Sequence, residues 1–232
     1  MNAVPVLCAI ASLPVGWFGG VLFDRIPDQK PLWPLPKPRL AGWNLFILVF
    51  TFIGFVLMGF RFEHAPFLLL VGYLLLTAAL VTLSAIDIDC YRLPDRIVLP
   101  SFLISLVIVV VESLRTSDLG RVRYAAAGAA IYFGFLLLVH LISPNGMGFG
   151  DVKLALLMGL YAGWLAVDYT GVVVLVLWCM LVGFVGGSIV GIALFASRGG
   201  RSRHIPFGPF LAVGCLTTIL LASHLTNVHL TI

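Results

Sequence analysis

The sequence predicts an all-α, polytopic integral membrane protein with about eight transmembrane helices, on three observations. Of its 232 residues, 61 % are hydrophobic and 10 % charged, against roughly 45–50 % and 25 % in an ordinary soluble chain. Its mean hydropathy of +1.11 cannot be hidden inside a 25.1 kDa globule. The apolar runs are also continuous instead of alternating, which favours helices over barrel strands; each crossing takes about 20 residues. Soluble-enzyme, nucleic-acid-binding and disordered classes are thereby excluded, and little chain is left outside the bilayer.

Uncharged runs fall at 2–23, 42–60, 67–86, 97–111, 124–150, 154–167, 169–197 and 205–232. The first lacks a basic leading region and an Ala-x-Ala-like cleavage site, so it reads as a retained helix and not a signal peptide. A loop rich in proline (Pro31, Pro34, Pro36, Pro38) joins it to the second, and such a tether is stiff and extended. The third run ends directly on Asp87. The fourth and sixth are the weak ones, at 15 and 14 uncharged residues, and each follows a cluster of acids. Acidic stretches beside short crossings predict irregular backbone at membrane depth around a wet cavity. Pro100 fits an early turn or a kink of the fourth. Breaker chemistry at Ser143-Pro144-Asn145-Gly146 stops the fifth near Ser143.

Eight crossings place both termini on one side and divide the loops into two sets. One set holds ten Lys and Arg, among them Arg25, Arg92, Arg96, Lys153 and Arg201; the other holds four, Arg61, Arg115, Arg121 and Arg123. The richer set is predicted cytoplasmic, so the net charge of +4 reads as orientation.

With Asp and Glu totalling ten, their positions are informative. Asp24, Asp28, Glu63, Glu112, Asp118 and Asp168 read as solvated or interfacial charges. The other four fall in Asp87-Ile88-Asp89-Cys90-Tyr91-Arg92-Leu93-Pro94-Asp95 and in Gly148-Phe149-Gly150-Asp151-Val152-Lys153, both at cytoplasmic helix ends. Taken alone, an Asp at a helix end is more often a cap, and Asp95 with Arg92 reads as a solvated ion pair. Jointly, two carboxylates on different helices at one depth can share a proton. One then takes a proton from water while the other donates to a scissile carbonyl. Gly146, Gly148 and Gly150 would let the backbone before Asp151 approach a ligand or adopt positive φ.

Other chemistries find little support. Cys8, Cys90, Cys179 and Cys215 form no CxxC pair, and all but Cys90 sit in apolar runs as packed hydrophobes. His64, His140, His204, His224 and His229 are scattered, with no HExxH spacing, and no Gly-x-Ser-x-Gly elbow occurs.

These motifs resemble those of the type IV prepilin peptidases, the A24 family of bacterial GxGD aspartic leader peptidases. The resemblance rests on Asp87-Ile88-Asp89 with Leu93-Pro94-Asp95, on Gly148-Phe149-Gly150-Asp151-Val152-Lys153, and on Ile205-Pro206-Phe207-Gly208-Pro209-Phe210-Leu211-Ala212. It implies that Asp87 and Asp151 are the catalytic pair, with Asp89, Pro94 and Asp95 supporting the first motif. Gly148 and Gly150 would shape the loop of Asp151, and Lys153 would hold a phosphate or snorkel. Pro206, Gly208 and Pro209 would fix a tight helix entry facing the cavity. The implied protein is a short family form: residues 1–66 give two helices and the Pro-rich loop, residues 67–232 the peptidase core. Its substrate would be a type IV prepilin or pseudopilin, cut where the leader meets the bacterial inner membrane, with membrane lipid as the other partner, no nucleic acid, and no cofactor for hydrolysis. Bifunctional members carry a cysteine-bearing loop after the first helix and use S-adenosylmethionine for N-methylation; the first loop here has no cysteine, which puts zinc binding and methyl transfer in doubt. A non-enzymatic transporter is the other rival, but it would want carboxylates spread through the membrane depth.

Overall fold

The computed structural model describes residues 3–27, 42–144, 147–197 and 206–225. Eight helices follow one another: α1 (Ala3–Arg25), α2 (Trp43–Arg61), α3 (Phe67–Cys90), α4 (Asp95–Arg115), α5 (Leu119–Ile142), α6 (Phe149–Leu165), α7 (Tyr169–Ser197) and α8 (Gly208–Leu225). No strand occurs among the described residues. Among the described residues, seven helices are long and apolar enough to cross a membrane, and the chain is an all-α polytopic membrane protein. The exception is α6, whose 17 residues make it the shortest.

Each apolar run forms one helix, but the helix ends reach into the flanking charges. The fourth run is the clearest case, because α4 begins at Asp95, ends at Arg115 and has 21 residues. It is therefore not a short crossing, contrary to the count of uncharged residues; long charged side chains in end turns keep their heads in the interface while the backbone stays helical. The Pro-rich loop, Asn145-Gly146, Ile205 and both termini lie outside the described residues.

Proline and turn residues set the helix ends. Pro66 and Pro94 stand just before α3 and α4, and Pro100 lies inside α4 without ending it. Tyr91 adopts the left-handed conformation (φ 55°) and its N–H donates to the Asp87 carbonyl at 2.9 Å, which closes α3. Helix α5 stops at Ile142, where the Ser143-Pro144 breaker predicts.

Helix α3 is the central post and packs against α1, α2, α4, α6 and α8. Helix α6 packs chiefly on α5, where backbones meet: a Cβ on Gly159 would strike the Gly128 carbonyl oxygen, and one on Gly163 the Tyr124 carbonyl oxygen. Small residues at such a crossing allow the close approach that drives helix association in lipid. On the side away from the acids, Tyr73 of α3 stacks on Phe62 (ring centroids 4.3 Å apart) and on Trp164 (5.8 Å). Its hydroxyl donates to the Tyr161 carbonyl at 3.0 Å, and the Tyr161 hydroxyl donates to Ser105 Oγ at 2.9 Å, so α3, α6 and α4 are cross-linked in the core. Glu112 departs from its reading as a solvated charge: it is 4 % exposed and pairs with Arg115 at 3.2 Å. Partial burial is tolerable here because the pairing satisfies the carboxylate.

Candidate active site

The two acid clusters converge at one end of the bundle, where the last turn of α3 and the first turns of α6 and α8 meet. Asp87 and Asp151 are each 6 % exposed. A methyl group on Gly208 would lie 2.8 Å from Asp87 Oδ2 and 3.5 Å from Asp151 Oδ1, so those oxygens are separated by at most the sum of these distances. That is of the order spanned by one water making two hydrogen bonds of about 2.8 Å. Both aspartates stand on helical backbone; the irregular segments predicted around them are confined to the turns before α4 and α6.

The surroundings of the two carboxylates differ. Asp87 Oδ2 accepts a hydrogen bond from the Gly208 N–H at 3.0 Å, at the first residue of α8. Asp151 Oδ1 is buried and accepts no hydrogen bond from any of the described residues. A buried acceptor is costly unless a donor meets it. The Asp151 N–H donates to the Gly148 carbonyl at 3.1 Å. His140 approaches the Met147 carbonyl with Nδ1 at 2.8 Å; a carbonyl only accepts, so this nitrogen carries the proton and ties α5 to the turn before α6.

Of the remaining sequence-predicted residues, Gly148 touches the pair through its carbonyl on the Asp151 N–H, and the others hold this geometry from around it. Asp89 is exposed and accepts from Trp43 Nε1 at 3.1 Å, joining α3 to α2. Pro94 precedes α4. Asp95 does not serve a solvated pair with Arg92 but receives Lys153 Nζ on both oxygens at 2.7 Å, so α4 is latched to α6 and the lysine is engaged within the protein. Gly148 has φ −69°, and among the described glycines only Gly42 has positive φ, so Gly148 and Gly150 do not serve a left-handed turn. Gly150 is needed for proximity instead, since a Cβ there would sit 2.8 Å from Leu93 Cβ. Cys8, Cys179 and Cys215 are buried as read, and among the described residues no group of three or more His, Cys, Asp or Glu could hold a metal ion.

Gly208 has a larger part than a tight helix entry. Its missing side chain and its N–H both face Asp87, and the signal for it was the Ile205–Ala212 segment, in which glycine stands at the helix start. Trp43 gave no such signal, because nothing in sequence pairs an indole with a carboxylate 46 positions away.

The chain is 32 % identical over 161 residues to the prepilin leader peptidase/N-methyltransferase of Stutzerimonas stutzeri, covering 68 % of this chain and 52 % of that protein. Proteins of the same name from Pseudomonas aeruginosa and Burkholderia pseudomallei are 29 % identical over 177 residues (75 % and 58 % covered) and 35 % identical over 151 residues (62 % and 44 %). The chain thus spans about half the length of the curated relatives it matches. No solved structure matches it. The sequence model described as Type IV leader peptidase family matches residues 74–195, more than half of the chain and the stretch that carries both buried carboxylates, and the chain belongs to that family.

Proposed function

We propose that the chain is a membrane aspartic endopeptidase that removes the leader of type IV prepilin-like proteins, with Asp87 and Asp151 as its catalytic pair. The observation that carries this reading is the meeting of two buried carboxylates around one point at a helix-end junction, one oxygen of Asp151 being without a hydrogen-bond partner among the described residues. A water between them would lose a proton to one carboxylate as its oxygen attacks the scissile carbonyl. The other carboxylate donates its proton to the developing oxyanion, and the tetrahedral species collapses with proton transfer to the leaving amine. The two carboxylates supply both proton-transfer roles, so the hydrolysis asks for no metal or organic cofactor. The Gly208 N–H holds Asp87 Oδ2 and fixes the plane of that carboxyl.

Orientation follows from charge. The loops on the aspartate side carry ten of the 14 Lys and Arg, which supports a cytoplasmic active site at the boundary of the bacterial inner membrane, with both termini opposite. The names of the relatives add an N-methyltransferase; this chain's first loop carries no cysteine, and we extend to it the peptidase half, with S-adenosylmethionine involved only if methylation occurs. Co-expression of a prepilin with Asp87→Asn or Asp151→Asn tests the reading. Each variant is expected to lower leader removal by about 10²–10⁴-fold, the usual contribution of a positioned general acid or base. Normal processing by either would sink it.

A further inference from the structure

Helices α1 and α4 both pack on α3 yet make no contact with each other among the described residues. The gap between them is an apolar furrow of about 320 Å³. Phe18 and Leu22 of α1 and Ser101 and Ile104 of α4 line its two sides, and Ala78 and Ala79 of α3 its floor. Small residues on a floor at membrane depth let another helix approach closely, as they do at the α5–α6 crossing of this same protein. Ile26 and Arg96 line this furrow and also a second cavity, of about 490 Å³, that continues it toward the end of α3. The second cavity lies beside the two aspartates without being lined by them: its wall includes Ile86, which precedes Asp87, and Leu93, against which Gly150, the residue before Asp151, closes. Its lining is also more polar, with Cys90, Arg92 and Arg96.

We propose that this furrow seats the apolar helix of the substrate, and that the second cavity receives the extended segment in which the chain is cut. The inference rests on the peptidase reading given above. A peptide bond inside a helix has its carbonyl tied up and its neighbours packed around it, so a protease acting at a membrane boundary needs a helical part of the substrate held and an adjacent part drawn out. The change of lining from aliphatic to mixed at Ile26 and Arg96 provides both, at the level of the carboxylates. A phospholipid, with its acyl chain in the furrow and its headgroup near Arg92 and Arg96, would make use of the same chemistry but has no need of a cavity that ends beside Asp87.

The test uses the full chain in vesicles, in the Asp151→Asn background so that substrate is bound and not consumed. A photoreactive benzoylphenylalanine is placed either at Ile104 in the furrow or at Leu177, which is 54 % exposed on α7, and a prepilin with intact leader is added. Crosslinks from position 104 to the apolar helix of the prepilin, at least tenfold above those from position 177, are expected. Equal crosslinking from both positions, or crosslinks from position 104 to lipid alone, would overturn the proposal. Because capture is read without turnover, failure of docking is distinguishable from failure of the catalytic assignment. In the otherwise unaltered protein, Ser101→Phe narrows the furrow from its α4 side and is expected to raise KM for the full-length prepilin at least tenfold with kcat little changed; an unchanged KM would also overturn it, and the preserved kcat reports an intact fold.

Discussion

A methyl group is the smallest change possible at Gly208, and at 2.8 Å from Asp87 Oδ2 it has nowhere to go without moving the carboxylate or the start of α8. Gly208→Ala is therefore expected to slow leader removal about tenfold or more, equivalent to about 1.4 kcal/mol in the barrier, while the protein remains folded in the membrane. Assaying processing beside thermal unfolding checks this; wild-type turnover would show that the glycine serves only the helix entry. The Lys153–Asp95 latch predicts a different pattern, because both side chains are partly exposed (26 % and 52 %) and such a pair contributes at most about 1 kcal/mol. Lys153→Glu and Asp95→Lys should each lower the unfolding temperature slightly, and the double exchange should recover most of the loss. If the lysine instead holds a phosphate, the exchange would not restore function. Asp87 and Asp151 were legible in sequence because acids are scarce in so apolar a chain and are costly near lipid. The Ile205–Ala212 segment pointed to Gly208, but its N–H bond to Asp87 and the Trp43 bond to Asp89 were not legible, since a backbone N–H and an indole find their carboxylates only through the fold.

Among the elements, α6 carries Asp151 and is held by its seam with α5, where Gly128, Gly159 and Gly163 bring two backbones into contact. Gly163→Val would drive a branched side chain into the Tyr124 carbonyl and pry the helices apart. Loss of activity by at least about a hundredfold is expected, with a clear drop in thermal stability, since overpacking at a seam typically costs about 1–3 kcal/mol. Gly134→Ala is the matched control on α5: nothing lies within 4 Å of its added methyl, and both properties should stay at wild-type values. Existence and order of all eight helices were legible from the apolar runs, but two features were not. Helix ends were undercounted wherever a charge sits in a terminal turn, as at Asp95 and Arg115 of α4. Neighbours were hidden because lipid is as apolar as Leu, so no polar stripe tells the faces packed on protein from those facing the membrane.

For the whole molecule, the question is whether residues 1–66 are an accessory to the part that carries the acids or belong to its fold. The family match begins at residue 74 and leaves them out, yet the hydrophobic core runs across the division: Cys8, Phe55, Met58 and Phe62 lie in one cluster with Tyr73, Leu76 and Leu80. Phe62 stacks on Tyr73, and Trp43 donates to Asp89 two residues beyond Asp87. Residues 1–66 also supply α1, one wall of the furrow beside the carboxylates. A chain of residues 67–232 alone is accordingly expected to insert but to remove leaders at no more than about a hundredth of the full rate, because packing lost around a buried aromatic costs about 3–5 kcal/mol and one docking wall is missing. Helices that insert independently and then associate can reassemble from separate polypeptides. Co-expressing residues 1–66 as a second chain should thus restore much of the activity, and Trp43→Phe in that chain should restore less than the wild type because the bond to Asp89 is gone. Full processing by 67–232 alone would show that the acids are positioned without the first two helices and would return those helices to an accessory role.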